Sequence, residues 1–393
     1  MATSIFHRNF PQVQELEEKC QQARYIIGLD VHKKTTAICV IDSDHADQPV
    51  YQQKRVKNNQ LLEKIQSFPG KKLVVSEASY GWFPLREALE SLEDVTFIIF
   101  DARKTSAWIE SSGIKNDKID AQVLAFATLQ GGISRLTVNQ PCREEKEHFK
   151  LVNFRDQLVC QRTSVKNQLK ALDRDYGINP YTGEQIEKSQ IVKDMEDCLL
   201  DQLRFLNEKI QSVEKTMDNL SRDDETISLL KTIPGIGSIT AFALRWKIGT
   251  IDRFASSAHL SSYFGFGLRQ QQSGEHFVKG KITKTGNPLI RKLLVQGAQV
   301  IRFQRQDLVE LYFPKLGQEK AMKDFRHANK VVIALARKNL TFAYQILKTS
   351  QAFDLNIYRQ KRAVSVNIPV VSSIPQQPSV ETEGAGSKAA ELV

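Results

Sequence analysis

Ile26-Ile27-Gly28-Leu29-Asp30-Val31-His32 is an apolar, strand-like run that ends in a carboxylate. Leu73-Val74-Val75-Ser76-Glu77 repeats the pattern with Glu77 at its end. In Lys115-Asn116-Asp117-Lys118-Ile119-Asp120-Ala121 two further acids lie three residues apart where a helical pattern begins, so their carboxylates share one helix face. A lone Asp after a strand is ordinarily a turn or cap residue, and an Asp pair at this spacing is ordinarily a solvated helix face. The order strand-Asp, strand-Glu, helix-Asp-Asp is what points to one shared site.

Working outward, residues 25–31 and 35–42 read as paired strands joined by His32-Lys33-Lys34, and Val50 to Val56 adds a third. A helix at about 58–67, the Glu77 strand, a helix from Phe83 to Leu92 and a strand from Val95 to Phe100 follow. Three strands, helix, strand, helix, strand is the order of the ribonuclease H fold. Asp101 closes the last strand and reads as the cap of a helix starting at Ala102 rather than as a fifth acid of the site. Carboxylates gathered in one place repel unless a cation neutralises them, and Mg2+ or Mn2+ prefers such oxygen ligands. Asp30, Glu77, Asp117 and Asp120 are therefore the candidate catalytic and metal-binding acids, suited to two-metal chemistry on a phosphodiester.

The 393 residues leave room for two or three domains. Lys and Arg number 55 against 45 Asp and Glu, a net charge of +10, which favours a polyanionic partner such as DNA or RNA. Cys20, Cys39, Cys142, Cys160 and Cys198 are scattered without a CxxC pair or a zinc spacing, as expected of ordinary thiols in a reducing compartment. No apolar run reaches the length of about 18 residues that a membrane span needs. The first twenty residues carry Glu, Lys and Gln where a signal peptide would be apolar, so a cytoplasmic location is expected.

Residues 1–22 read as a polar extension with a helical turn around Val13 to Leu16, ahead of an α/β domain at 23–140. Residues 143–222 are charged and poor in glycine. Leu151, Leu158, Val165 and Leu172 recur every seven residues, and Leu199, Leu203, Leu206, Ile210, Val213, Met217 and Leu220 alternate steps of four and three. With breakers from Tyr176 to Gly183, this is a coiled-coil helical hairpin, either a purely intramolecular pair or a dimerisation arm. A third, mostly helical domain at 225–350 opens on Thr232-Ile233-Pro234-Gly235-Ile236-Gly237, which has the form of a helix-hairpin-helix turn. There Gly235 and Gly237 would let backbone N–H groups approach a phosphate.

Residues 269–305 carry eight basic residues, Arg269, Lys279, Lys281, Lys284, Arg291, Lys292, Arg302 and Arg305, against the single acid Glu275. Gly274, Gly280 and Gly286 are expected to break this stretch into loops, giving a surface for a nucleic-acid backbone. Ser273, in Gln270-Gln271-Gln272-Ser273-Gly274-Glu275, reads by itself as a turn residue on such a loop. Residues 308–349 have a helical pattern with Val331, Val332, Leu335 and Ala336 on its buried stripe, and 362–393 read as a disordered tail.

Gly28-Leu29-Asp30-Val31-His32-Lys33, Ser76-Glu77-Ala78-Ser79, Asn116-Asp117-Lys118-Ile119-Asp120-Ala121 and the block from Pro234-Gly235-Ile236-Gly237 to Gly286-Asn287 resemble, in this order, the DEDD transposases of bacterial insertion sequences. These are bridge-RNA-guided recombinases related to the Piv-type DNA invertases, and the resemblance covers residues 24–305. It implies a RuvC-like N-terminal domain, a coiled-coil insert and a C-terminal transposase domain that supplies a catalytic serine. By position Asp30, Glu77, Asp117 and Asp120 would be the metal ligands and Ser273 the nucleophile, chosen over Ser256, Ser257, Ser261 and Ser262 because it precedes a glycine in the basic loop. The implied partners are donor and target DNA, a non-coding guide RNA and further copies of the chain as a dimer or tetramer, in a bacterial cytoplasm at the nucleoid. A Piv-like site-specific DNA invertase, which shares the chemistry, is one alternative, and a RuvC-like junction nuclease, which hydrolyses with water and leaves Ser273 idle, is another within the same acids. A non-catalytic nucleic-acid-binding protein would need neither the acids nor the serine.

Overall fold

The computed structural model describes residues 11–79, 81–111, 116–273, 276–313, 325–357 and 359. Its centre is a five-stranded sheet in the order β3-β2-β1-β4-β5, built from β1 (Tyr25–Val31), β2 (Thr35–Asp42), β3 (His45–Lys57), β4 (Lys72–Glu77) and β5 (Val95–Phe100). β1 runs antiparallel to β2 and parallel to β4, so the strands that carry Asp30 and Glu77 near their ends are neighbours pointing the same way. The strands read as near-continuous apolar runs because both faces are covered. Ile26, Ala37, Cys39, Leu73, Val75, Ile98 and Phe100 pack on one face against Ala121, Leu124 and Ala125. Ile27, Leu29, Ile38, Val74 and Ile99 pack on the other against Leu61, Ile65 and Leu89.

Helix α1 (Pro11–Gln22) lies ahead of the sheet, and its Val13, Leu16 and Cys20 pack on the first core. Within the expected extension at 1–22, the described residues 11–22 form twelve residues of helix, longer than the single turn expected, and residues 1–10 lie outside the described residues. Between the strands come α2 (Leu61–Gln66), entered through a 3-10 turn at Asn58–Gln60, and α3 (Trp82–Glu90). After β5 come α4 (Ala102–Ser111), α5 (Asp117–Ala127) and the short α6 (Ile133–Leu136). The third strand is longer than Val50 to Val56 and shifts register against β2 three times, which masks its ends in the pattern.

The approach of α5 to β1 sets the geometry of the acids. A Cβ on Gly28 would lie 2.0 Å from the Ala121 carbonyl oxygen and 2.9 Å from the Ala125 nitrogen, so only glycine at this strand position lets the helix backbone rest directly on the sheet. Small residues on the facing helix, Ala121 and Ala125, complete the fit.

Helices α7 (Arg143–Tyr176) and α8 (Gln190–Ser221) form the hairpin. Val152, Leu158 and Val165 are buried from α7, and Leu206, Ile210, Val213 and Met217 from α8, while Leu220 is exposed. Arg155 bridges to Glu214 at 2.6 Å across the pair. The connection extends to Ser189, further than the breakers at Tyr176 to Gly183 indicate, and Tyr181 at its tip is 96 % exposed.

Helices α9 (Glu225–Leu230), α10 (Ser238–Ile248), α11 (Ser257–Tyr263), α12 (Pro288–Gln304), α13 (Gln306–Tyr312) and α14 (Phe325–Thr349) make up most of the remainder. The expected loops around Ser273 are instead an antiparallel ribbon of β6 (Leu268–Ser273) and β7 (His276–Ile282), with Gly280 inside a strand. Ladder hydrogen bonds do not require apolar alternation, so a Gln-rich ribbon leaves no period-2 signal. The helical pattern at 308–349 is also two elements, α13 and α14, and Val331, Val332, Leu335 and Ala336 are buried as expected. Among the described residues, no helix is long and apolar enough to cross a membrane. In a separate unit from 354 onward, Asp354 Oδ1 accepts from the Asn356 N–H at 2.7 Å. The expected disordered tail at 362–393 lies outside the described residues.

Candidate active site

Asp30 is next to last in β1, Glu77 ends β4, and Asp117 and Asp120 occupy the first turn of α5. The parallel pairing of β1 with β4 and the seat of α5 on Gly28 bring all four acids together. Burial, and then the carboxylates of Asp120, Asp117 and Glu77, push the Asp30 carboxyl above its ordinary value, while His32 pulls it back. Negative charge is therefore in excess at this spot.

The surroundings fix the acids. Asn116 caps α5 by accepting from the Lys118 N–H at 3.3 Å, and Gln52 of β3 donates to the Lys118 carbonyl at 2.9 Å and to Gln122 at 3.2 Å. The buried Thr105 hydroxyl of α4 donates to Glu77 Oε1. Asp101 Oδ1 accepts from the Arg103 N–H at 3.1 Å, which is the cap role read from the sequence.

Three side chains at the site went unrecognised in the sequence. His32 Nε2 lies 3.2 Å from Asp30 Oδ2 and 3.7 Å from Asp117 Oδ2, and Lys54 Nζ of β3 lies 3.8 Å from the same Asp117 oxygen. The third is Thr105. His32 had a signal, since two residues beyond Asp30 on an extended chain is the same face. Lys54 and Thr105 are far away in sequence and had none. One donor atom each from Asp30, His32 and Asp117 lies within 4.8 Å of the others, a spacing a single cation can bridge. Oxygen-rich donors, a carboxyl raised by burial and by its acidic neighbours, and Lys54 leaning on Asp117 show a concentration of negative charge that a divalent ion would neutralise.

The remaining predicted residues lie in the turn before α10, on the β6–β7 ribbon and the segment after it, and on α12. Gly235, at φ +78°, is committed to packing: a Cβ there would meet the Gly297 carbonyl oxygen at 2.7 Å, and the hairpin turn rests on α12. Gly237 faces open space at the start of α10. Lys281 and Lys284 are exposed. Arg291 Nη1 instead donates to the carbonyls of Phe264 (3.2 Å) and Gly286 (2.5 Å), and Lys292 pairs with Asp156 of α7 at 2.6 Å. Ser273 ends β6 and pairs with His276 across the ribbon. Its side chain, like those of Arg269 and Lys279, lies outside the described part of the structure. Arg103 Nη1 donates to the Thr285 carbonyl at 3.4 Å, linking the helix beside the acids to the segment that follows the ribbon.

A DEDD transposase family model of the IS110 type matches residues 27–176, and a second, described as "Transposase IS116/IS110/IS902 family", matches residues 227–313. The transposase for insertion sequence element IS1111A of Coxiella burnetii is 27 % identical over 84 % of this chain and 91 % of its own length. The transposase for insertion sequence element IS1328 of Yersinia enterocolitica is 31 % identical over 61 % of this chain and 73 % of its own. The pilin gene-inverting protein of Moraxella bovis is 33 % identical over 33 % of this chain and 39 % of its own. With the acids on a ribonuclease H-like sheet and both matches in the right order, the chain belongs to the IS116/IS110/IS902 family of transposases, enzymes that cleave DNA and transfer its strands.

Proposed function

We propose that this transposase moves an insertion sequence through a covalent protein–DNA intermediate, with Ser273 as nucleophile and a guide RNA as the reader of sequence. The observation that carries the reading is the convergence of Asp30, Glu77, Asp117 and Asp120 at adjacent strand ends and one helix start. Mg2+ or Mn2+ held there would polarise the scissile phosphate and stabilise its attacking and leaving oxygens. The Ser273 hydroxyl would form a new bond to phosphorus as the bond to the leaving strand breaks, its proton passing to the departing oxygen. One phosphoester replaces another, so rejoining to a second DNA needs no outside energy.

In this reading residues 23–140 hold the acids, 143–222 form an arm for assembly, and 225–350 supply the serine and a basic surface. The acids and Ser273 belong to different parts of the chain, so a site completed between copies, in a dimer or tetramer, accounts for the division. Exposed Lys281 and Lys284, with Gly237 open to an approaching phosphate, favour contacts to nucleic-acid backbone over contacts to bases. An RNA paired with donor and target DNA would then provide sequence choice. The enzyme would work at the nucleoid in a bacterial cytoplasm. Similarity to the pilin gene-inverting protein favours site-specific inversion as the second reading, with the same chemistry.

The test is to incubate purified protein, Mg2+, RNA transcribed from beside the gene and labelled element-junction DNA, and to look for protein joined to DNA. An adduct that is absent in Ser273→Ala and requires RNA and metal is expected. Cleavage without adduct, equal in both proteins, would mean a hydrolytic nuclease and refute the serine mechanism.

A further inference from the structure

We infer that His32 is a ligand of the metal site through Nε2, a nitrogen donor among the oxygens that biases the site away from Mg2+ and toward transition ions. The inference rests on the metal reading above and deepens it. Nε2 stands between two acids on different elements, 3.2 Å from Asp30 Oδ2 of β1 and 3.7 Å from Asp117 Oδ2 of α5, where an ion shared by those carboxylates would be within its reach. A surface histidine that merely touches an acid needs only one partner and a mobile backbone. His32 has neither property.

Its turn is tied on both sides. The His32 N–H donates to the Thr35 carbonyl at 3.0 Å, and Asn58 Nδ2 donates to the His32 carbonyl at 3.0 Å. Asn58 Oδ1 in turn accepts from the hydroxyl of the fully buried Thr36 at 2.9 Å. The imidazole therefore hangs from a backbone braced to β2 and to the end of β3, and its placement beside the acids is part of the fold. The ring is about half exposed, so an ion and its waters can reach it from solvent. Imidazole nitrogen is a softer donor than carboxylate oxygen, and Mg2+ accepts it less readily than transition ions do.

Mn2+ is the probe, used with the full-length protein and no nucleic acid. Pulsed electron paramagnetic resonance of bound Mn2+ is expected to show modulation from a directly coordinated nitrogen in the wild type and to lose it in His32→Gln. The Gln amide oxygen keeps a donor near the same place, so His32→Gln should retain more Mn2+ affinity than His32→Ala, which should lose at least about tenfold. Mg2+ affinity should fall by a smaller factor in His32→Ala. Nitrogen modulation that is missing from wild-type protein while Mn2+ is bound in an Asp30-dependent way, or that persists in His32→Gln, overturns the assignment and leaves the acidic site standing. Mn2+ binding that Asp30→Asn does not alter overturns the metal reading and this inference together.

Discussion

Gly28→Ala should disable the enzyme without touching any of its four acids. The added Cβ would lie 2.0 Å from the Ala121 carbonyl oxygen, and its other near neighbours, the Ala125 nitrogen at 2.9 Å and the Ala121 carbonyl carbon at 3.1 Å, are also backbone of α5. None of them can swing aside as a side chain would. Restoring the 3.4 Å at which ordinary contact begins means moving the helix outward by about 1.4 Å. Forcing extra volume into a packed core costs about 1–3 kcal/mol, and a clash against helix backbone belongs at the upper end. Asp117 and Asp120 ride on the same helix, so their separation from Asp30 grows by a comparable distance, and a misplacement of about 1 Å is enough to cost about 100-fold in rate. Denaturant titration should show the lost stability, Mn2+ calorimetry the weakened site, and a strand-transfer assay the lost activity. A Gly28→Ala protein with wild-type stability and wild-type Mn2+ affinity would refute the claim that this contact positions the acids.

Asp30→Asn should reduce strand transfer at least about 100-fold while stabilising the metal-free protein. Because the folded-state carboxyl is raised by burial and its acidic neighbours, its cost is absent at pH values below the unfolded value and grows as pH rises through the raised one. The stability advantage of the variant should therefore widen with pH, and a constant gap from acid to neutral would contradict this. Removing exposed Lys281 or Lys284 should lower the salt dependence of DNA binding by about one unit of slope each with stability unchanged. Arg291→Ala, which strips two carbonyls of their donor, should instead cost about 1–3 kcal/mol of stability. Gly235→Ala should destabilise through its positive φ and the Gly297 contact, whereas Gly237→Ala should melt like wild type; equal melting of all three proteins would argue against the packing described. Thiol titration of native protein at pH 8 should modify exposed Cys142, Cys160 and Cys198 and spare Cys39, whose buried thiol is pushed up to about 12.

The sheet was legible because β1 and β4 are apolar on both faces and end within one residue of their acids. Asp30 and Glu77 announce strand ends, and Asp117 with Asp120 announces a helix start capped by Asn116. The polar ribbon that ends at Ser273 was not legible, since its Gln side chains carry no alternation and the pairing with His276 is made by backbone alone. Arg291 and Lys292 look in sequence like any two cations of a basic stretch. Only the folded chain separates them from Lys281, because their partners, the carbonyl of Phe264 and the carboxylate of Asp156, are 27 and 136 residues away. His32 was hidden for the opposite reason, since its neighbours Lys33 and Lys34 make it look like turn chemistry when its ring belongs with Asp30.

The hairpin can be measured against the enzyme's own substrate. Thirty-four residues of continuous helix in α7 extend about 50 Å, the length of about fifteen base pairs of duplex. Arg143, at the start of that helix, is pinned to Glu87 at 2.7 Å beside the sheet, and Asp156 to Lys292 under α12. The end of α7, five residues before the exposed Tyr181, is therefore carried about 50 Å from the Arg143–Glu87 contact, a reach longer than one full helical turn of duplex.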